Sequence, residues 1–372
     1  MQLAPLSWYL ENARELPWRK TREPYPIWVS EVMLQQTRVE TVIDYYRRFL
    51  DSFPSVTSLA SAKIDRVLKV WEGLGYYRRA HNLHKAAGIL MLRGGQFPRS
   101  AAEWSELPGI GKYTAAAIAS RTMGEAVAVL DGNVKRVIAR FDGVEIPINT
   151  AAAEKALWAR AEELLDRESP GDHNQAMMEL GATVCTPRNP DCSRCPLAKG
   201  CIALKTERIN FIPAKSPRKP LPLRRSIALF IRRTSDDSLL IVRRPDNGFL
   251  AGLWEFPQVD VKNNESEAEA LERLLLELLG TRQIKAEIAC SAHHTYTHFH
   301  LEVSGYRANQ SPLLEKYLKL RFKIRSSDTA KKPEASLGNL PLDWYSPAKE
   351  NPHALHGAHQ KLLVSLQKHE IL

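Results

Sequence analysis

Through the first 204 residues, apolar side chains recur at three- and four-residue intervals. "VETVIDYYRRFL", "IDRVLKVWEGL", "YTAAAIASRTM", "NVKRVIARF" and "AAAEKALWARAEELL" each read as one amphipathic helix. Pro- and Gly-bearing links ("FPSV", "LPGIG", "LDGN") separate them. The pattern changes after residue 204. "KTERINFIPAKSPRKPLPLRR" (205–225) has four prolines, seven basic residues and one acidic residue, which predicts an extended, solvated linker. From 226 to 372 the period shortens. "RSIALFIRR" and "SLLIVRRP" read as strands joined by the turn "TSDD". "SEAEALERLLLELLG" reads as a helix ending at Gly280, and "HTYTHFHLEVSGYR" as an alternating strand. The chain is thus multidomain: an all-α part over 1–204, a linker over 205–225 and an α+β part over 226–372. Residues 309–338 read only as a polar insertion.

One helical pattern contains a conflict. At about 100° per residue, Trp28, Val32, Val39, Val42, Ile43 and Tyr46 of "IWVSEVMLQQTRVETVIDYY" share an arc with Glu31 and Gln35, and Gln36 lies at its edge. Either the helix begins later and Glu31 is a surface residue of its first turn, or a carboxylate faces the core. Burial would raise its pKa and make it a usable general acid.

Composition narrows the class. With 44% apolar and 25% charged residues the 372-residue chain is globular, and no apolar run is long enough for a membrane span. The N-terminus lacks the basic start and apolar core of a signal peptide, and a cytoplasmic or nuclear protein is expected. A net charge of +10 favours a polyanionic partner.

Four of the five cysteines, Cys185, Cys192, Cys195 and Cys201, follow the spacing C-x6-C-x2-C-x5-C, while Cys290 stands apart. That density argues for a metal centre in a reducing compartment, with zinc and an iron–sulfur cluster both suited to four thiolates. "LPGIGKYTAAAIAS" (107–120) runs from a turn into a helix. Its Gly109 and Gly111 would let backbone amides point outward beside a helix N-terminus, an anion site suited to phosphate. Asp131, in "VLDGNVKRVIARF", falls where a helix N-cap should fall. With Lys135, Arg136 and Arg140 after it, it can also sit beside an anionic substrate and stabilise a developing positive charge. "WEGLGYYRRAHNLHKAA" sets Leu74, Tyr76 and Tyr77 beside basic residues, either a packed corner or wedges for unstacking bases. His293, His294, His298 and His300 crowd one strand-like segment, yet no cysteine or carboxylate other than Glu302 lies at metal-ligand spacing.

In that order, "LPGIGKYTA", "LDGNVKRV" and the cysteine spacing resemble the helix–hairpin–helix DNA glycosylases with a [4Fe–4S] cluster. "SEVMLQQT", "GLGYYRRA" and the appended second domain resemble the adenine DNA glycosylases of the MutY type. The resemblance covers nearly the whole chain. It implies a helix–hairpin–helix at about 105–120, an iron–sulfur loop at 185–201 in place of zinc, and a monomer acting on double-stranded DNA containing A:8-oxoguanine or A:G mismatches. It implies that Glu31 protonates a flipped adenine and that Asp131 stabilises the oxocarbenium-like sugar, with Tyr113 and Asn133 in support. Gln36 matches the residue inserted into the base stack. Thr37, Leu74 and Tyr76 match contacts around the damaged base, and Trp18 and Arg19 the adenine pocket. Relatives with strand-cutting lyase activity carry a lysine where this chain has Tyr113; here the lysine is Lys112, about 100° away on a helix. That implies a monofunctional glycosylase rather than a bifunctional lyase.

The second domain resembles a Nudix, MutT-like fold. Its hydrolases need R-E-x-x-E-E-x-G, but "RLLLELLG" (273–280) has Leu274 and Leu278 in place of glutamates, so a recognition module is expected rather than a pyrophosphohydrolase. The family loop Phe-Ser-His, which meets 8-oxoguanine, corresponds to Tyr296, Thr297 and His298. Thr297 keeps the serine hydroxyl, and Tyr296 adds a phenol. A non-catalytic damage binder is the remaining alternative, opposed by the pairing of Glu31 with Asp131.

Overall fold

The computed structural model describes residues 3–214, 220–327 and 337–368. Helices come first in chain order: α1 (Leu3–Asn12), α2 (Pro24–Leu34), α3 (Val39–Ser52), α4 (Val56–Ser61), α5 (Ile64–Trp71) and α6 (Arg78–Leu92). After them come α7 (Ala101–Ser105), α8 (Lys112–Met123), α9 (Gly132–Asp142), α10 (Ala151–Leu164), α11 (Pro170–Thr183) and α12 (Ile202–Lys205). The α+β part holds β1 (Leu223–Phe230), β2 (Leu239–Arg243), β3 (Trp254–Glu255), β4 (Gln258–Asp260), α13 (Glu267–Leu279), β5 (Ala286–Thr295) and β6 (His300–Ala308). It closes with α14 (Pro312–Ser327), β7 (Leu342–Tyr345) and α15 (Gly357–Lys368).

Two compact units result. Residues 1–61 with 81–218 form one, and residues 62–80 with 219–372 form the other. This division differs from the expected boundaries at 204 and 226 in two places, each with a local cause. Ile212 is buried with Ala139 and Ala203, and its carbonyl accepts from Arg140 Nε at 2.9 Å, so the start of the expected linker packs into the helical unit. Residues 62–80 are tied to the α+β unit. Glu72 Oε1 accepts from the Leu355 amide at 2.8 Å, and Lys69 Nζ donates to the His353 carbonyl at 3.4 Å.

In the helical unit, Trp28 and Trp104 meet at 5.7 Å and Phe49 and Phe53 at 5.0 Å in the core. The single helix expected from Trp28 to Tyr46 is instead two. α2 stops at Leu34, Gln36 adopts the left-handed conformation (φ 59°), and α3 restarts at Val39. No glycine or proline marks that break, so periodicity alone ran through it. α8 and α9 both end on glycines in the left-handed region, Gly124 and Gly143.

In the α+β unit, one sheet has the order β4-β1-β6-β5, with β1 parallel to β6 and the other pairs antiparallel; the second has the order β3-β2-β7. The two expected strands "RSIALFIRR" and "SLLIVRRP" are indeed joined by a turn, but they lead into different sheets. α13 has the predicted limits, with a Ser266–Glu269 capping box and Gly280 beyond its end. Its Leu274 and Leu278 are core residues. Two further expectations are corrected. "HTYTHFHLEVSGYR" is not one strand but the turn of a hairpin: Thr295 pairs with His300, and the Tyr296 amide donates to the Phe299 carbonyl at 2.9 Å. Alternation continues across such a tight reversal, which is why the pattern hid it. The insertion at 309–338 includes α14, whose Leu314, Tyr317, Leu318 and Phe322 pack on the core beside α13; residues 328–336 lie outside the described residues.

Candidate active site

Glu31 is 4% exposed near the end of α2, so the core-facing reading of its arc holds even though the helix is shorter. The Tyr113 hydroxyl, from the first turn of α8, donates to Glu31 Oε2 at 3.3 Å. Burial dominates the acid's proton affinity and pushes its pKa from 4.5 to about 7. The charge of Asp131 adds to that rise, while the Tyr113 hydrogen bond, Arg19 and Arg121 oppose it. Burial likewise pushes the Tyr113 phenol well above its ordinary value.

Asp131 is the N-cap of α9. Its Oδ1 accepts from the Val134 amide at 2.7 Å, and its Oδ2 from Asn133 Nδ2 at 3.0 Å. Burial raises its pKa, and these donors hold the rise back. Cap and chemistry are therefore compatible: the two N–H groups fix the carboxylate at the positive end of a helix. Asn133 is itself held, since Arg136 Nη2 donates to its Oδ1 at 2.9 Å and to the Gly181 carbonyl at 2.7 Å. A Cβ on Gly181 would stand 2.6 Å from Asn133 Cβ, so α11 approaches α9 as closely as a glycine allows. The site thus holds two carboxylates in different settings. One is buried and inclined to keep its proton; the other is anchored by hydrogen bonds to its charged form.

Trp18 is buried, its ring edge-on to Tyr46 at 5.4 Å. Arg19 is engaged inside the protein: its guanidinium donates to the Arg14 carbonyl at 2.9 Å, Glu179 Oε2 at 2.9 Å and Gln175 Oε1 at 3.3 Å. Glu179 also takes Arg14 Nε at 2.7 Å. Burial alone would raise Glu179, but the two guanidinium partners outweigh it and hold the carboxyl near 2. Sequence reading missed Glu179, Arg14 and the supporting role of Arg136. Their partners lie up to 165 residues away, and no local motif signals such a pairing.

α9 also grips the cysteine loop. Arg136 Nε donates to the Cys185 carbonyl at 2.7 Å, and Arg140 Nη1 to Cys185 Sγ at 3.4 Å and the Thr186 carbonyl at 2.7 Å. None of Cys185, Cys192, Cys195 and Cys201 is joined in a disulfide. Their spacing bears on which group they fit. Zn–S bonds of about 2.3 Å would bring four sulfurs within about 3.8 Å of each other. Among the described residues, only Glu255, His356 and His359 bring three donor atoms within 4.8 Å, so the cysteines stand wider than one metal ion requires. A donor set of four thiolates fits an iron–sulfur cluster, and the loop is a [4Fe–4S] site.

Between α7 and α8, Gly109 has φ +78°, and a Cβ there would lie 2.7 Å from Asn82 Cβ. Gly111, in contrast, caps α8 in an ordinary extended conformation (φ −88°) that any residue adopts. Open space faces its missing Cβ. Gln36 is exposed and Thr37 half-buried in the turn after α2.

In the α+β unit, Leu74 is buried, whereas Tyr76 is 44% exposed with φ 49° after two left-handed glycines, Gly73 and Gly75. Its hydroxyl lies 3.0 Å from Thr297 Oγ1. The hairpin turn therefore presents Thr297 and His298 outward, beside Tyr76. Tyr296 is half-buried instead, packed against His294 (4.4 Å), Phe249 (4.9 Å) and Phe299 (5.0 Å). His293 and His300 are exposed strand residues, and Cys290 is a buried one.

Residues 29–163 match the HhH-GPD superfamily of base excision DNA repair proteins, residues 185–201 the iron–sulfur binding domain of endonuclease III, and residues 228–365 the NUDIX domain. A solved thermostable thymine-DNA glycosylase, 31% identical, superposes with a TM-score of 0.51 over 55% of this chain and 95% of its own. Fold and site together define a helix–hairpin–helix base-excision repair protein with an iron–sulfur loop and a Nudix-like domain. Adenine DNA glycosylase of Buchnera aphidicola subsp. Acyrthosiphon pisum is 36% identical over 301 residues, 80% of this chain and 83% of its own. That of Rattus norvegicus is 39% identical over 309 residues, 69% of this chain and 60% of its own. The chain belongs to the adenine DNA glycosylase family. It spans about 60% of the length of the rat relative and 57% of the human one.

Proposed function

We propose that the chain hydrolyses the N-glycosidic bond of adenine mispaired with 8-oxoguanine or guanine in double-stranded DNA. The carrying observation is Glu31, buried and within reach of the Tyr113 hydroxyl, where burial pushes its pKa up to about 7. The adenine is flipped out of the stack. Glu31 gives its proton to the base, and the bond from base nitrogen to sugar C1′ breaks with its electron pair leaving on adenine. Asp131 faces the oxocarbenium-like sugar, held at its charge by Asn133 and the Val134 amide, until water adds to C1′ and loses a proton. Trp18 and Arg19 border the adenine. Gln36 enters the stack, Thr37, Leu74 and Tyr76 meet the damaged base, and Gly109 and Gly111 offer amides to phosphate. Thr297 and His298 read the 8-oxoguanine, with Tyr296 beneath them. When bound, the [4Fe–4S] cluster supplies four iron–thiolate bonds that staple the 185–201 loop.

The reaction stops at base removal. Tyr113 stands where a Schiff-base lysine would be, and Lys112 Nζ is engaged 3.8 Å from the Trp158 ring centroid. Chromatographic assay of free adenine tests the whole reading. Release is expected from duplexes with adenine opposite 8-oxoguanine and opposite guanine, and not from adenine opposite thymine. No release from either mispair would refute it.

A further inference from the structure

Glu255, His356 and His359 bring donor atoms within 4.8 Å of one another in the α+β unit, all buried. The trio has the composition of a metal site, but its hydrogen bonds say otherwise. His359 Nδ1 accepts from the Phe256 amide at 2.8 Å, which places its proton on Nε2, 2.9 Å from Gln258 Oε1. Both of its nitrogens are used. Glu255 Oε2 takes Arg244 Nη1 at 2.7 Å and Gln258 Nε2 at 2.7 Å. His356 Nε2 lies 3.0 Å from the same oxygen, and a carboxylate can only accept, so His356 carries its proton on Nε2. Its Nδ1 is then an acceptor, 3.2 Å from the Tyr296 hydroxyl. A cation would have to displace Arg244 and break these bonds. The cluster is a filled hydrogen-bond chain, running Arg244, Glu255, His356, Tyr296.

The chain ends at the exposed hairpin turn. Tyr296 immediately precedes Thr297, its amide closes the turn onto Phe299, and its phenol points inward to a histidine that is 1% exposed. The family pattern has phenylalanine here, which can share the packing with Phe249 and Phe299 but cannot join the chain. We infer that His356 and Glu255 are positioning residues for lesion recognition: through the Tyr296 phenol they fix the turn so that Thr297 and His298 meet the 8-oxoguanine in one geometry. This rests on the reading of that turn given under Proposed function.

The test compares the native protein with Tyr296→Phe, His356→Leu and the double variant. Each is titrated with duplexes carrying a non-hydrolysable adenine analogue opposite 8-oxoguanine or guanine, and assayed for adenine excision at saturating enzyme. The expected result is a fall of about fivefold in the preference for 8-oxoguanine in each single variant, one hydrogen bond's worth. No further loss is expected in the double variant, and the saturating excision rate of His356→Leu should be unchanged. A merely structural role would lower the rate or affect both duplexes alike. Equal binding of both duplexes by the native protein would overturn the reading of the turn and this inference with it. Native preference that survives both substitutions, or losses that add in the double variant, would overturn the inference alone. A second readout needs no variant: nitrogen-15 spectra of the histidine side chains should show His356 and His359 as Nε2–H tautomers unmoved by added Zn2+. An Nδ1–H tautomer at His356, or a shift on zinc addition, would contradict it.

Discussion

Replacing Glu31 by glutamine should abolish excision and at the same time stabilise the fold, in a pH-dependent way that the burial of this one carboxyl fixes. Burial moves the Glu31 pKa from 4.5 to about 7. At about 1.36 kcal/mol per tenfold change in proton affinity, the charged form costs the folded state about 3 kcal/mol. The sign follows from which state holds the proton. Well below pH 4.5 both states are protonated and the cost vanishes. It grows as pH rises through 4.5, where the unfolded chain ionises first, and is complete once pH passes about 7. Glutamine is isosteric, cannot ionise, and can still accept from the Tyr113 hydroxyl through its carbonyl oxygen. Glu31→Gln should therefore raise unfolding free energy by about 2–3 kcal/mol more at pH 8 than at pH 5. Urea unfolding of both proteins at the two pH values measures it. An equal gain at both would refute the reasoning, because the carboxyl would then be solvated and its proton affinity ordinary.

Other expectations follow from the same geometry. The single-turnover excision rate should fall about tenfold per pH unit above about 7, as Glu31 loses its proton, and should fall on the acid side at a pH above the ordinary aspartate range, since burial raises Asp131; a flat profile to pH 9 would contradict this. Gly181→Ala should press on Asn133, costing about 1–3 kcal/mol of stability and slowing excision while the iron–sulfur absorbance persists; a fully active variant would mean that α9 and α11 have room to part. Gly109→Ala should lose about 1–2 kcal/mol to its left-handed backbone and weaken binding to all duplexes alike, and adding Asn82→Gly, which removes the Cβ it meets, should relieve the contact but not the strain. Borohydride should trap little covalent protein–DNA adduct, and Tyr113→Lys should trap more; efficient trapping by the native chain would mean that an amine reaches the sugar.

How legible the site was differed by residue. Asp131 could be read because a cap has a local signature, and here the cap is the candidate site residue itself. The cysteine loop was equally plain, since its spacing is local. For Glu31 the pattern left two readings open, a surface first turn or a core-facing carboxylate; the second holds, along a helix that breaks at Gln36, where no turn-forming residue marks the left-handed backbone. Gln36 and Tyr76, both matched to DNA contacts by resemblance, are both non-glycine residues in that region, which only coordinates reveal. The hairpin turn at Tyr296–Phe299 hid inside an alternating pattern because Thr297 and His298 are not typical turn residues. Glu179 with Arg14 and Arg19, and His356 with Glu255, were illegible for a different reason. Each pair joins positions more than 100 residues apart, and folding alone brings them together.

The central claim is that two carboxylates divide the work of breaking an adenine glycosidic bond. Single-turnover release of adenine opposite 8-oxoguanine, measured for the native chain, Glu31→Gln and Asp131→Asn at pH 7, tests it most directly. The account predicts release by the native chain and a loss of at least about 100-fold in each variant, the scale of a positioned acid. A Glu31→Gln protein that excises adenine at the native rate would contradict it.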